Sequence, residues 1–137
     1  MTGNDFVKFF LRTPFRVFMG DTMLITVKGR KTGREYSTPV GFYRENGYLW
    51  VISNRDRTWW RNIKDGADVK LLLKGKVVSA FAETVTDESE VRKRIVQYIQ
   101  HIPMSARGFG IRVEDKVPNK DDVARLAKER LFVRIKI

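Results

Sequence analysis

The sequence predicts an α+β fold: about six mostly antiparallel strands closing into a small barrel, with helices on the outside. Three observations carry that expectation. Short β-rich runs recur along the chain, several of them separated by glycine-containing turns. A segment with helical spacing opens on an acidic cap at Asp87. The last segment, Leu131–Ile137, alternates Phe132, Arg134 and Lys136 against Val133, Ile135 and Ile137, as a strand with one buried and one wet face would. At 137 residues the chain is read as one domain, 1–137, whose first twenty residues form an amphipathic helical leader.

The elements follow in order. Residues 5–18 set Phe6, Phe9, Phe10, Phe15 and Phe18 among Lys8, Arg12 and Arg16, a short amphipathic helix interrupted near Pro14. Strands are expected at 22–28 and 35–43, and Glu45-Asn46-Gly47 turns the chain into a third at 48–53. Thr58 is placed to cap a helix running to about Asp65, which Gly66 ends. Strands at 68–74 and 76–85 flank a tight Lys74-Gly75 hairpin. Asp87 caps a helix from Glu88 to His101, with Glu90 as its capping-box partner. The stretch 102–118, with glycine and two prolines, reads as a loop; a helix over 120–129 precedes the closing strand. This pattern alone does not separate a barrel from other compact antiparallel folds.

Composition narrows the chemistry. Twenty-seven Lys and Arg against sixteen Asp and Glu give a formal charge of +11, which favours anionic partners: a phosphorylated cofactor, acidic lipid or nucleic acid. With no cysteine there is neither a disulfide framework nor thiolate chemistry. The one histidine, His101, follows an apolar helical pattern and reads as structural. No pair of carboxylates sits at metal-ligand spacing. An enzyme built from these residues takes its reactivity from a bound cofactor. No apolar run reaches bilayer length and the first residues lack a signal-peptide pattern. The expectation is a cytoplasmic protein, with peripheral contact at the inner membrane face through the leader.

The most informative stretch is Met23 to Tyr43. An apolar strand enters Gly29-Arg30-Lys31-Thr32-Gly33, a glycine-framed cationic turn, and a second strand returns. Glycine lets backbone approach an anion while Arg30 and Lys31 supply charge-assisted donors. It is no P-loop, since the glycine spacing is too short and no helix follows. An ordinary basic hairpin tip fits the same residues.

Thr26–Gly33 followed by Ser37-Thr38-Pro39-Val40 resembles the signature of the deazaflavin-dependent nitroreductases, also called deazaflavin-dependent quinone reductases. Gly47–Asn54, Trp59–Ile63, Ala67–Leu71 and the leader Asp5–Phe10 resemble that family's further segments in the same order. The resemblance implies a split β-barrel, as in flavin-mononucleotide-binding oxidoreductases, and a reductase passing hydride from coenzyme F-420 (8-hydroxy-5-deazaflavin) to a quinone or nitro-compound. It implies that Arg30, Lys31 and Thr32 hold the phosphate and acidic tail, while Tyr36, Ser37, Thr38, Pro39 and Val40 line the stem and ring. Val51, Ile52, Ser53 and Asn54 match the next contact segment; Thr58, Trp59, Trp60 and Asn62 match the helix completing the pocket, one indole facing the ring and the other the core. Pro39, unable to donate to a ladder, belongs at an edge or bulge.

The chain also departs from the family. Tyr36 stands where a basic residue is usual, with Arg34 as the substitute on the same strand face. The connection from Ser53 to Trp59 is short, and Arg55-Asp56-Arg57 replaces a glycine pair and offers new contacts to an anion. A tyrosine that protonates substrate in some members has no counterpart near Met104-Ser105, which leaves Ser53 and Tyr36 as proton donors. Two other functions fit: a split barrel binding flavin mononucleotide or haem, and a basic nucleic-acid binder using Arg57-Trp59-Trp60-Arg61 for stacking. The last is the weakest, since positive charge on a small domain discriminates little. The leader fits either a membrane surface, delivering a lipid-soluble quinone, or packing on the barrel or in a homodimer.

Overall fold

The computed structural model describes residues 21–137; the amphipathic leader, and with it the expected membrane contact, lies outside the described residues. Six strands form a closed antiparallel barrel: β1 (Asp21–Lys28), β2 (Glu35–Glu45), β3 (Tyr48–Asn54), β4 (Ala67–Leu73), β5 (Lys76–Val85) and β8 (Arg130–Lys136). Their order around the wall is β1-β2-β3-β8-β5-β4, and β4 pairs back onto β1. A 3-10 helix, Trp59–Ile63, joins β3 to β4. Between β5 and β8 lie α1 (Glu88–His101), the short α2 (Ser105–Gly108), a two-stranded hairpin β6–β7 (Val113–Glu114 with Val117–Pro118), and α3 (Lys120–Glu129). Asn46-Gly47 and Lys74-Gly75 have both residues at positive φ, the geometry of tight two-residue hairpins.

There are two apolar layers. Met23, Ile25, Phe42, Leu49, Val51, Leu71, Val133 and Ile135 fill the barrel. Tyr43, Trp50, Ile52 and Phe132 point outward and are roofed by Val91, Ile95, Tyr98 and Leu126 of α1 and α3. Hence β3 is apolar on both faces over Leu49–Ile52, having a filled barrel on one side and helices on the other, while β8 is so only at Phe132, with Arg130, Arg134 and Lys136 on the rest of its outer face.

The closing strand alternates as expected at Val133, Arg134, Ile135 and Lys136 and departs from expectation at its two ends. Phe132, assigned to the wet face, is fully buried under the helices, whereas Ile137 is 56% exposed beyond the strand end. Thr58 makes no capping hydrogen bond, and the segment after it is a single 3-10 turn rather than an α-helix. Asp87 does cap α1, accepting from Glu90 N at 3.1 Å. The reciprocal half of the capping box is replaced: Ser89 Oγ donates to Asp87 at 2.7 Å, and Glu90 faces Lys93 at 3.5 Å. The stretch 102–118 is not a plain loop, since it holds α2 and the β6–β7 hairpin. Asp122 ties that hairpin to α3 by accepting from Arg112 N and Nε, both at 2.9 Å. No helix among the described residues is long and apolar enough to cross a membrane.

Candidate functional site

The turn between β1 and β2 is closed by Gly29 N donating to Arg34 O at 2.7 Å and Gly33 N donating to Gly29 O at 2.9 Å. Thr32 Oγ1 accepts from Arg34 N at 3.2 Å, which stiffens the tip. Tyr36 lays its ring over Gly29, so closely that a Cβ there would stand 2.8 Å from the ring edge. The turn is also docked onto the 3-10 helix. Arg30 N donates to Asn62 Oδ1 at 3.3 Å, Arg30 Nε to Asn62 O at 3.1 Å, and Arg30 Nη2 to Lys64 O. Arg30 is thus a bracket as well as a charge, with part of its five-donor fork left for a ligand. Lys31 is exposed, with no carboxylate partner among the described residues.

Beside this turn lies a cavity of about 500 Å³ lined by Gly29, Arg30, Lys31, Thr32, Tyr36, Thr58, Trp59, Arg61 and Asn62. Three cations and no acid line it. A negative, flexible group is what such a rim attracts.

The second cavity, about 300 Å³, opens where β2 and β3 part. Pairing of β2 with β3 covers Phe42–Glu45 against Tyr48–Val51, while Glu35–Gly41 pairs with β1 alone. From there Ile52–Asn54 continues along β8, so the two strands diverge and leave backbone edges facing a cleft. Pro39 lies on the singly paired part of β2, as its missing N–H requires. Thr38, Pro39, Val40 and Gly41 form one wall, Ile52, Ser53 and Asn54 the other, with Arg57, Trp59, Gly108, Phe109 and Arg130 completing it.

Trp59 borders both cavities, which therefore adjoin at its side chain. Its Nε1 donates to Ser53 Oγ at 3.1 Å, and Trp60 Nε1 donates to Asn54 O at 3.2 Å, so both indoles are fixed to the end of β3. Both indoles pack against the barrel's apolar cluster; Trp59 also lines the two cavities, whereas Trp60 lines neither. Of the other sequence-predicted residues, Val51 is inside the barrel and fully buried, and Ser37 Oγ lies 2.7 Å from Thr26 Oγ1, away from both cavities. Ser53 is 6% exposed and its hydroxyl already donates to Asn54 O at 3.4 Å, which weakens it as a proton donor; Tyr36, 44% exposed at the rim, is freer.

Arg55 contradicts its expected role as an anion contact. Its Nη2 donates to Thr86 O at 2.8 Å and Ala127 O at 3.0 Å, while its backbone N donates to Glu129 O at 2.9 Å. The shortened connection is thereby stapled to the helical layer. Arg57 remains at the cleft. Sequence reasoning missed Gly108, Phe109 and Arg130, which reach the site from α2 and the start of β8. A loop glycine and a single arginine before an apolar strand carry no local signal of shared position. Burial lowers the Arg130 pKa, opposed by the charges of Glu129 and Asp56.

His101 stays structural: Nδ1 lies 2.9 Å from Gln97 O and the ring lies 4.8 Å from that of Tyr43. Among the described residues, no group of His, Cys, Asp or Glu is disposed to hold a metal. A larger groove of about 630 Å³ is lined by residues of β1, β4 and β5 with Glu35 of β2. It mixes Lys28 and Lys70 with Glu35 and Asp68 and lacks aromatic walls, so it has no net pull on an anion or a ring.

A profile of the F420H(2)-dependent quinone reductases matches residues 11–126. Solved structures share the split barrel at low identity. The FAD and heme binding protein of Mycobacterium smegmatis is 16% identical with a TM-score of 0.51, covering 85% of this chain and 60% of its own. An FAD-binding protein from Mesorhizobium loti is 15% identical with a TM-score of 0.53, covering 100% and 90% respectively. The F420-H2 dependent reductase FDR-A is 18% identical with a TM-score of 0.51, covering 82% and 92%. The chain thus spans about three fifths of the Mycobacterium smegmatis protein.

Proposed function

The chain belongs to the F420H(2)-dependent quinone reductase family, and we propose that it binds coenzyme F-420 across the two adjoining cavities and reduces a quinone or nitro-compound. One observation carries the reading. A cationic, acid-free cavity adjoins, at a fixed indole, a cleft of mixed polar and apolar lining with unpaired backbone edges. Each cavity falls in the size range of small-ligand sites.

The residues present fit the coenzyme. Lys31, Arg61 and the unused donors of Arg30 hold the phosphate and acidic tail, with Thr32 and Asn62 beside them. Thr38–Gly41 and Ile52–Asn54 receive the flat ring between them, with Trp59 at the junction. Once bound, the coenzyme supplies hydride chemistry. The protein's share is to hold ring and acceptor in attack geometry within a partly dry cleft. Tyr36 and solvent are the proton sources left by the engagement of Ser53.

A flavin mononucleotide site is the second reading, favoured by likeness to proteins described as FAD-binding. Haem fits less well, because the only histidine is packed on Tyr43. Nucleic-acid stacking is less favoured, since Trp60 lines neither cavity and has Arg61 over its ring at 5.5 Å, which leaves Trp59 as the one indole of the pair in a cleft. Contact of the leader with an anionic membrane belongs to the same proposal; liposome co-sedimentation with and without residues 1–20 tests it.

The function is tested by following oxidation of the reduced coenzyme by a soluble quinone in the presence of purified protein. Protein-dependent turnover that saturates in both reactants supports the proposal. Coenzyme that binds yet is never oxidised by quinones or nitro-aromatics removes the reductase activity. A yellow protein releasing flavin mononucleotide on denaturation replaces it with the second reading.

A further inference from the structure

Arg130 stands at the start of β8, in the wall of the cleft between β2 and β3. Its Nε is buried without a hydrogen-bond partner, and its guanidinium makes no ion pair among the described residues. Arg55 and Arg134 also carry an orphaned Nε, yet both are held through Nη2: Arg55 by the carbonyls of Thr86 and Ala127, Arg134 by the Glu83 carboxylate. Arg130 has the face of Phe109, 5.5 Å from the ring centroid; Glu129 and Asp56 act on it through space, but neither is within ion-pair distance. A half-buried guanidinium left in this state carries a desolvation penalty that an incoming anion relieves. Arg57 lines the same cleft, no lining residue is acidic, and the other walls are largely apolar, including Pro39, Val40, Ile52 and Trp59.

We propose that Arg130, assisted by Arg57, is an anion subsite within the ring cleft, so that this cleft selects flat aromatic ligands carrying negative charge on the ring edge. The inference rests on the reading of this cleft as the ring site and adds its charge selectivity. Two ligands share the required chemistry: the ionised ring of the coenzyme and an acidic quinone.

The test uses full-length, coenzyme-free protein and quenching of tryptophan fluorescence. One probe pair is a sulfonated naphthoquinone and its neutral parent. The other is the tail-free deazaflavin riboside, titrated on either side of the ionisation of its ring hydroxyl. In at least one pair the charged form binds about tenfold tighter or more, and Arg130→Gln brings the two forms within about twofold. Arg130→Lys keeps part of the preference. Arg57→Gln, in an exposed loop, loses part of it while melting with the wild type, which guards against a folding artefact at position 130. A preference confined to the quinone pair assigns the subsite to the acceptor; one confined to the deazaflavin pair assigns it to the coenzyme. Equal binding of charged and neutral forms, a preference untouched by both Gln variants, or no binding of either pair overturns the subsite. Intact coenzyme that fails to bind while the charge preference is present defeats the reductase reading and leaves this one standing; the reverse defeats the subsite alone.

Discussion

Replacing Arg30 and Lys31 separately divides the cationic turn into its two tasks. Arg30 donates through Nε to Asn62 O at 3.1 Å and through Nη2 to Lys64 O, fastening the β1–β2 turn to the 3-10 helix. Both bonds are near the surface, so Arg30→Ala is expected to cost about 1 kcal/mol for each, about 2 kcal/mol together. For a domain of this size that lowers the melting midpoint by about 6–10 °C. Lys31 makes no such bond, so Lys31→Ala shifts stability by less than about 0.5 kcal/mol. A charge-assisted contact to phosphate or carboxylate is worth about 1.5–3 kcal/mol, so Lys31→Ala weakens coenzyme binding by about 10–100-fold. Arg30→Ala weakens it at least as much, having lost both a donor and the turn's position. Calorimetry reads the first effect and fluorescence titration the second. If Arg30→Ala melts with the wild type, the bracket is wrong. If Lys31→Ala binds coenzyme as tightly as the wild type, the anion site is wrong.

Three further outcomes follow from other parts of the molecule. Gly66 sits at φ +94°, where a Cβ would stand 2.6 Å from Phe81 Cζ; Gly66→Ala lowers stability by about 1–3 kcal/mol in urea melts, and adding Phe81→Ala recovers only the steric part. Arg112 holds the Asp122 carboxyl down at about 2, below its ordinary 3.8. A carboxylate depressed on folding gives stability that is present above pH 3.8 and is lost as pH falls toward 2, so wild-type melting temperature drops across that window while Asp122→Asn starts lower and stays flatter. Trp59→Phe removes the hydrogen bond to Ser53 and the shared wall, so it weakens coenzyme binding several-fold and abolishes most ligand quenching, whereas Trp60→Phe keeps both.

The parts of this fold legible in the sequence are those governed by near neighbours. Asp87 caps α1 three residues ahead, and Lys74-Gly75 turns a hairpin on its own dihedral preferences. The family resemblance of Thr26–Gly33 and its companion segments led to the barrel; the residues it implied for one pocket are divided between two cavities, with Ser37, Val51 and Trp60 in neither. Long-range partners decided the rest. Phe132 alternates as a wet-face residue, yet α1 and α3 cover it. Arg30 and Arg55 are ordinary loop cations by sequence, and their carbonyl partners lie 31 or more positions away. Thr58 has the right side chain for a cap, but a single 3-10 turn offers it no donor in place. Arg130 and Phe109 meet only because β8 returns beside β3 and α2 sits above that junction.

The two-cavity site is best tested by a structure of the protein with oxidised coenzyme F-420 soaked or co-crystallised. The acidic tail is expected along Lys31 and Arg61, and the ring between Pro39-Val40 and Ser53-Asn54, against Trp59. A ring found instead in the groove lined by β1, β4 and β5, or a cleft closed by its own side chains when coenzyme is saturating, contradicts that site.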